Sequence, residues 1–267
     1  MTDLVWNGPV LSKQSPVPLY YQLAEAIEDR IATGEWQPGD RLPSERDLAS
    51  QAGISRMTAR QALSYLVDRG AIEVRHGVGT FVAQPKLTSD PLHLLGFTEQ
   101  MMATGGDVAS TVLAREVLPA PGPVAAALDL DPGSDVVRIM RLRSLNGSPV
   151  LLETSYFPRA RFAGIEQRDL SRASLYTLLE TDFGVRLTHA QQTVEAVGSN
   201  EFESTLFGTE RGSPMLLLEG VALTSDGTPG EYFKAVYRGD RFKFALRAAD
   251  AVEPASEAAL PIGLVLT

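Results

Sequence analysis

Apolar residues recur at a spacing of four in Leu19, Leu23, Ile27 and Ile31. This predicts a helix that begins after Pro18 and ends at Gly34. Ser44, followed by Glu45 and Asp47, reads as an N-cap with acids in the first turn of a short second helix that stops at Gly53. Ser55 caps a third helix from Arg56 to about Arg69, with Ala59, Leu63, Leu66 and Val67 on one face and Gly70 beyond its end. The runs Ile72–Arg75 and Thr80–Ala83 flank His76-Gly77-Val78-Gly79 and read as a hairpin. Two prolines and short polar residues make 84–91 a linker.

Beyond it the pattern shifts to strands at Thr111–Leu118, Val136–Leu145, Val150–Tyr156, Leu187–Val197, Pro214–Leu223 and Tyr232–Arg238. Asn146-Gly147 and Ser225-Asp226-Gly227 are turn signals that imply antiparallel neighbours. Helices are expected at Phe97–Ala103, Val124–Leu128, Ser174–Phe183 and Asn200–Phe207. Strands joined by short turns with helices between them predict an α+β chain of two domains. The divisions are an N-terminal extension at 1–17, a three-helix and hairpin unit at 18–83, the linker at 84–91, a strand-rich unit at 92–247 and a tail at 248–267, for which no role is assigned.

Three helices and a hairpin describe a winged helix-turn-helix. The major groove admits one helix, and a helix N-terminus presents backbone N–H groups to phosphate. Here that end carries Ser55, Arg56, Thr58, Arg60 and Gln61, all suited to base edges or phosphates.

Charge at first argues the other way. The 267 residues hold 24 basic and 33 acidic side chains, a net charge of −9. Positions 41–80, however, hold six arginines against four acids, whereas 85–267 hold 16 basic against 23 acidic residues. The acidity belongs mainly to the second domain, and contacts to DNA depend on where cations sit rather than on the total.

Other classes lack their signatures. There is no cysteine, His76, His93 and His189 are scattered, and neither a metal-ligand cluster nor a nucleotide-type Gly-rich loop is seen. No catalytic residue, metal or cofactor is expected. Neither a secretory signal nor an apolar run near the ~18 residues of a membrane span is read, so the expected location is the cytoplasm. An enzyme, or an architectural DNA binder without effector, is the rival reading.

In the second domain Val137, Ile139, Arg141 and Arg143 share one strand face by the period of two. Two cations on an apolar face need partners. A bound anion is one solution, and a structural ion pair with Glu153 is the other.

The motifs PLY, LPSER, SRMTARQAL and GTFVA within residues 18–83 resemble the DNA-binding domain of GntR-type bacterial transcription regulators. That resemblance implies operator DNA contacts at Arg46, Ser55, Arg56, Thr58, Arg60, His76 and Gly77. Val78 departs from the pattern, since a Lys often stands between the wing glycines. Residues 94–246, through FTEQM, VVRIMRLRSLNGSPVLLETSYFP, DLSRASLYTLLETDFGV and YFKAVYRGDRFKFAL, resemble the UTRA domain of the HutC subfamily. This implies an antiparallel sheet of chorismate-lyase-like fold and a homodimer that binds a pseudo-palindromic duplex. It also implies a small anionic effector, such as a phosphorylated sugar, held by Phe97, Thr98, Arg141, Arg143, Glu153, Ser174, Tyr176, Glu231 and Tyr237. The implied activity is that of a repressor released by its effector.

Overall fold

The computed structural model describes residues 4–75, 77–89, 97–102, 105–171 and 173–245. His76 and the tail at 248–267 lie outside them.

The N-terminal unit is built from α1 (Leu19–Ala32), α2 (Glu45–Ala52), α3 (Arg56–Asp68) and the antiparallel hairpin of β1 (Ile72–Arg75) and β2 (Gly79–Val82). The Ser44 and Ser55 hydroxyls accept from the backbone N–H three residues on, which fixes the starts of α2 and α3. Gly53, at φ 65°, ends α2 in the left-handed region, so the chain turns within two residues into α3. Leu23, Ile27, Leu48, Ala59, Ala62, Leu66 and Ile72 form the core between the three helices and the hairpin.

The N-terminal extension belongs to this core from residue 4 onward. Trp6 is buried, and its backbone N–H donates to Gln51 Oε1 at 2.8 Å. The Arg30 guanidinium lies 4.9 Å from the Trp6 ring centre and 5.8 Å from that of Trp36. It also donates to Asn7 Oδ1 at 2.9 Å. An extended segment with one large aromatic has no periodicity, which is why its packing was not legible along the chain.

The second unit is a six-stranded antiparallel sheet. Its order is β4 (Val108–Pro119), β5 (Asp135–Leu145), β6 (Ser148–Pro158), β9 (Pro229–Arg238), β8 (Pro214–Thr224) and β7 (Leu187–Gly198). Asn146 and Gly147 both take positive φ, 50° and 78°, giving the tight turn that sets the β5–β6 register. Helix α6 (Leu175–Phe183) packs on Val137, Ile139, Phe157 and Phe162 on one face. Helices α5 (Gly122–Ala127) and α7 (Glu201–Phe207) cover Val136 and Tyr232, and Leu142 and Leu152, on the other. Strand β5 is therefore covered on both sides. Helix α4 (Phe97–Met102) joins the face that carries α6.

The segment expected to be a linker is not irregular throughout. Leu87–Ser89 forms strand β3, parallel to β10 (Phe242–Phe244). Lys86 Nζ donates to the Gly239 carbonyl at 2.8 Å and the Leu87 N–H to that of Arg241 at 2.8 Å. The pairing joins segments some 150 residues apart in the chain, a long-range partnership that no local pattern announces.

Trp6→Ala removes a buried aromatic and one side of the Arg30 stack, and should destabilise the N-terminal unit by about 3 kcal/mol. Urea denaturation followed through the remaining Trp36 fluorescence measures it. A loss within experimental error would show that the extension does not contribute to the core.

Candidate functional site

Two surfaces carry the chemistry. On the N-terminal unit, Arg46, Ser55, Arg56 and Arg60 are exposed, Thr58 is half-buried, and Gly77 sits in the wing turn at φ 74°. The Ser55 hydroxyl accepts from the Thr58 N–H at 3.1 Å and lies 2.8 Å from the Thr58 hydroxyl. Both side chains thus shape the start of α3 while remaining at its surface. Sequence reasoning missed the partner of the arginines. Arg60 Nε donates to Glu45 Oε1 at 3.0 Å and Nη2 to Oε2 at 3.1 Å, while Arg56 Nε donates to the same Oε2 at 3.2 Å. The Arg60 hydrogen bond outweighs what burial does to the Glu45 carboxyl and holds it below the usual range. Glu45 and Arg60 stand fifteen positions apart on different helices, so the pairing becomes visible only once α2 and α3 are docked.

On the second unit, β5, β6 and β9 bring a charged cluster into an apolar face. Arg141 and Arg143 are each only 2% exposed. Arg141 pairs in register with Glu153 across β5 and β6, and its Nη2 donates to Glu153 Oε2 at 2.7 Å. Arg143 Nη1 lies 3.7 Å from the same oxygen, and Nη2 donates to the Thr98 hydroxyl. The Phe97 ring centre is 5.1 Å from the Arg143 guanidinium, a cation–π contact from the first turn of α4. The ion pair with Glu153 weighed from the sequence is therefore present. It does not saturate the arginines: among the described residues Arg141 Nη1 and Arg143 Nε are buried without a hydrogen-bond partner.

Glu231 and Tyr237 reach the cluster from β9 by the same period of two, and Tyr176 reaches it from α6. Burial, reinforced by the charge of Glu153, pushes the Glu231 carboxyl up to about 7, partly offset by the nearby Ser155 and Tyr176 hydroxyls. Its Oε2 is another buried atom without a partner. Glu153 behaves oppositely: burial would raise its pKa, but Arg141 and Arg143 together hold it low. Burial also pushes the Tyr176 and Tyr237 hydroxyls up and draws Arg143 down to about 10, so Arg143 still carries its proton at neutral pH. Two neighbouring acids thus differ in charge near pH 7, one fully ionised and one close to its titration midpoint.

Ser174 is used locally. Its hydroxyl accepts from the Thr177 N–H at 3.3 Å as the cap of α6. Thr177 in turn donates to Glu99 at 3.0 Å, tying α6 to α4 over the cluster. Ser155, buried beside Glu231, was missed by sequence reasoning. Its place two positions after Glu153 on β6 was the available signal. Among the described residues no group of His, Asp or Glu is arranged to hold a metal ion, and no helix is long and apolar enough to cross a membrane.

Glu231 also makes stability depend on pH. A carboxyl raised from 4.5 to about 7 on folding contributes stability that is complete below 4.5 and lost as pH rises through 7. Relative to Glu231→Gln, the native chain should lose up to about 3 kcal/mol between pH ~5 and ~8. Parallel stability–pH curves for the two proteins would show that this carboxyl ionises as freely as in the unfolded chain.

The comparisons with known proteins agree with this division. Residues 19–82 match the gntR family of bacterial regulatory proteins, and residues 103–243 match the UTRA domain. The chain is 37% identical over 234 residues to the HTH-type transcriptional repressor NagR of Bacillus subtilis (strain 168), covering 88% of this chain and 96% of that protein. It is 32% identical to the mannosyl-D-glycerate transport/metabolism system repressor MngR of Escherichia coli (strain K12), over 86% of this chain and 96% of that one. The crystal structure of PhnF from Mycobacterium smegmatis superposes with a TM-score of 0.60 at 31% identity, covering 86% of this chain and 99% of that chain. With a winged reader, a buried polar cluster in the sheet and matches along both units, the chain belongs to the gntR family of transcription regulators, in the HutC subfamily that carries a UTRA domain.

Proposed function

We propose that this regulator is a repressor that leaves its operator when a small anionic effector, such as a phosphorylated sugar, enters the Arg141–Arg143–Glu153–Glu231 cluster. The observation that carries this reading is the pair of buried, unsatisfied N–H groups on Arg141 and Arg143. Buried donors without partners are costly, and a phosphate or carboxylate supplies the matching acceptors. Thr98 and the start of α4 lie on the same side. Glu153, Glu231, Tyr176 and Tyr237 offer acceptors and donors suited to hydroxyl groups. The names of similar proteins, repressors of sugar-derivative systems among them, support the same direction.

Operator contact is assigned to Arg46, Ser55, Arg56, Thr58, Arg60, His76 and Gly77. Two chains pairing through their sensor units in the cytoplasm would present two α3 helices to a pseudo-palindromic duplex. A route for coupling is at hand. The Phe97 ring, which meets Arg143, lies 6.1 Å from that of Phe242 on β10, and β10 pairs with β3 in the segment leading from the reader. An effector that favours one arrangement of this segment changes operator affinity by its differential binding to the two states.

The test uses a duplex enriched by the full chain from a randomised pool, and a thermal-shift screen of sugar phosphates and small carboxylic acids. Arg56→Ala should abolish duplex binding and leave effector-induced stabilisation intact. Arg141→Ala should bind the duplex normally and lose both stabilisation and release. Undiminished effector affinity in Arg141→Ala, measured by calorimetry, would move the effector site elsewhere.

A further inference from the structure

Glu45 is the first residue of α2, yet its carboxylate serves α3. Both oxygens of Glu45 are engaged, fork to fork with Arg60 and by one bond with Arg56. The arginine side chains remain 66% and 52% exposed, so the pairing occurs at the surface, where ion pairs add little to stability. Its consequence lies in what it leaves available. Arg60 uses its Nε–Nη2 edge on the carboxylate, whereas Arg56 uses Nε alone and keeps both Nη groups, the end-on fork that matches O6 and N7 of guanine.

We propose that Glu45 is a specificity-determining positioning residue, which holds the two arginines of α3 for base edges and keeps backbone phosphate from between them. This rests on reading α3 as the base-reading helix. Two physical effects follow from one carboxylate. Two long, rotamer-rich side chains are ordered before DNA arrives, so binding need not order them again. The fixed negative charge reduces the pull of the pair on any phosphate, the sequence-independent part of DNA affinity. A neutral base edge is spared that repulsion. Glu45 thus lowers affinity for arbitrary duplex more than for the correct one. The acidic balance of the whole chain acts in the same sense, but Glu45 acts at the reading surface itself.

The experiment compares full-length native protein with Glu45→Gln and Glu45→Asp. The probes are the duplex enriched from a randomised pool by the native chain and a scrambled duplex of the same composition. Fluorescence anisotropy across a salt series gives both affinities and their salt slopes, and thermal melts report folding. Glu45→Gln should bind the scrambled duplex roughly threefold to tenfold more tightly at low salt. Its salt slope should steepen by about one phosphate contact. Preference for the enriched duplex should fall about tenfold. Glu45→Asp, which keeps the charge, should keep the native slope.

Unchanged preference and slope in Glu45→Gln would overturn the proposal. So would equal weakening on both duplexes together with a lower melting temperature, since that marks a purely structural role. A Glu45→Asp protein with the slope of Glu45→Gln would also overturn it. Retained preference in Arg56→Ala and Arg60→Ala would instead overturn the reading of α3 on which the proposal rests.

Discussion

Two guanidinium groups buried in the middle of an apolar sheet set the terms for the sensor unit. A charge taken from water needs close, well-aligned partners, and removing one partner of a buried pair typically costs about 3–5 kcal/mol. Arg141 and Arg143 obtain that compensation from Glu153 on the next strand, Thr98 on α4 and the face of Phe97. The partners come from two other elements, β6 and α4, so the sheet and its covering helix must be assembled correctly for the charges to be tolerated. The compensation is nevertheless incomplete: among the described residues Arg141 Nη1 and Arg143 Nε remain buried without a hydrogen-bond partner.

The same chemical unit, two arginines and one glutamate, recurs on the reader in Arg56, Arg60 and Glu45. There it is exposed, and water and salt weaken it. The contrast separates two uses of one interaction. In the second unit the triad is buried and costly to break. On α3 it is exposed and adds little stability, so its effect lies in how it orients and screens the two arginines.

An aromatic cluster borders the buried arginines. Tyr237 lies 5.1 Å from both Phe242 and Phe244, and Phe97 packs on Phe242. Strand β10 therefore rests on side chains that border the charged cluster, and it holds β3 by backbone pairing. Arg143 is thus linked to β3, the strand that follows the reader, through the Phe97 face, the Phe97–Phe242 contact and the β10–β3 pairing.

Much of this was legible along the chain because it depends on local periodicity. Ser44, Ser55, Gly53 and Gly70 punctuate the helices, and the period of two put Arg141 and Arg143 on the face of Ile139. The Asn146-Gly147 turn set the neighbours of β5. The motifs at LPSER and SRMTARQAL pointed to the family. What only the tertiary structure decided are partnerships between residues far apart in sequence. Glu45 reaches across to α3, Trp6 seals a core formed by three helices, β3 pairs with a strand near the far end of the domain, and Ser155 comes to lie beside Glu231. Local sequence specifies dihedral preferences and faces over a few residues, whereas charge compensation, burial and strand pairing depend on which faces meet. That is why the sequence determined the two-domain plan and which strand face carries Arg141 and Arg143, and only packing decided that Glu153 stays ionised while the equally acidic Glu231 is driven toward neutrality.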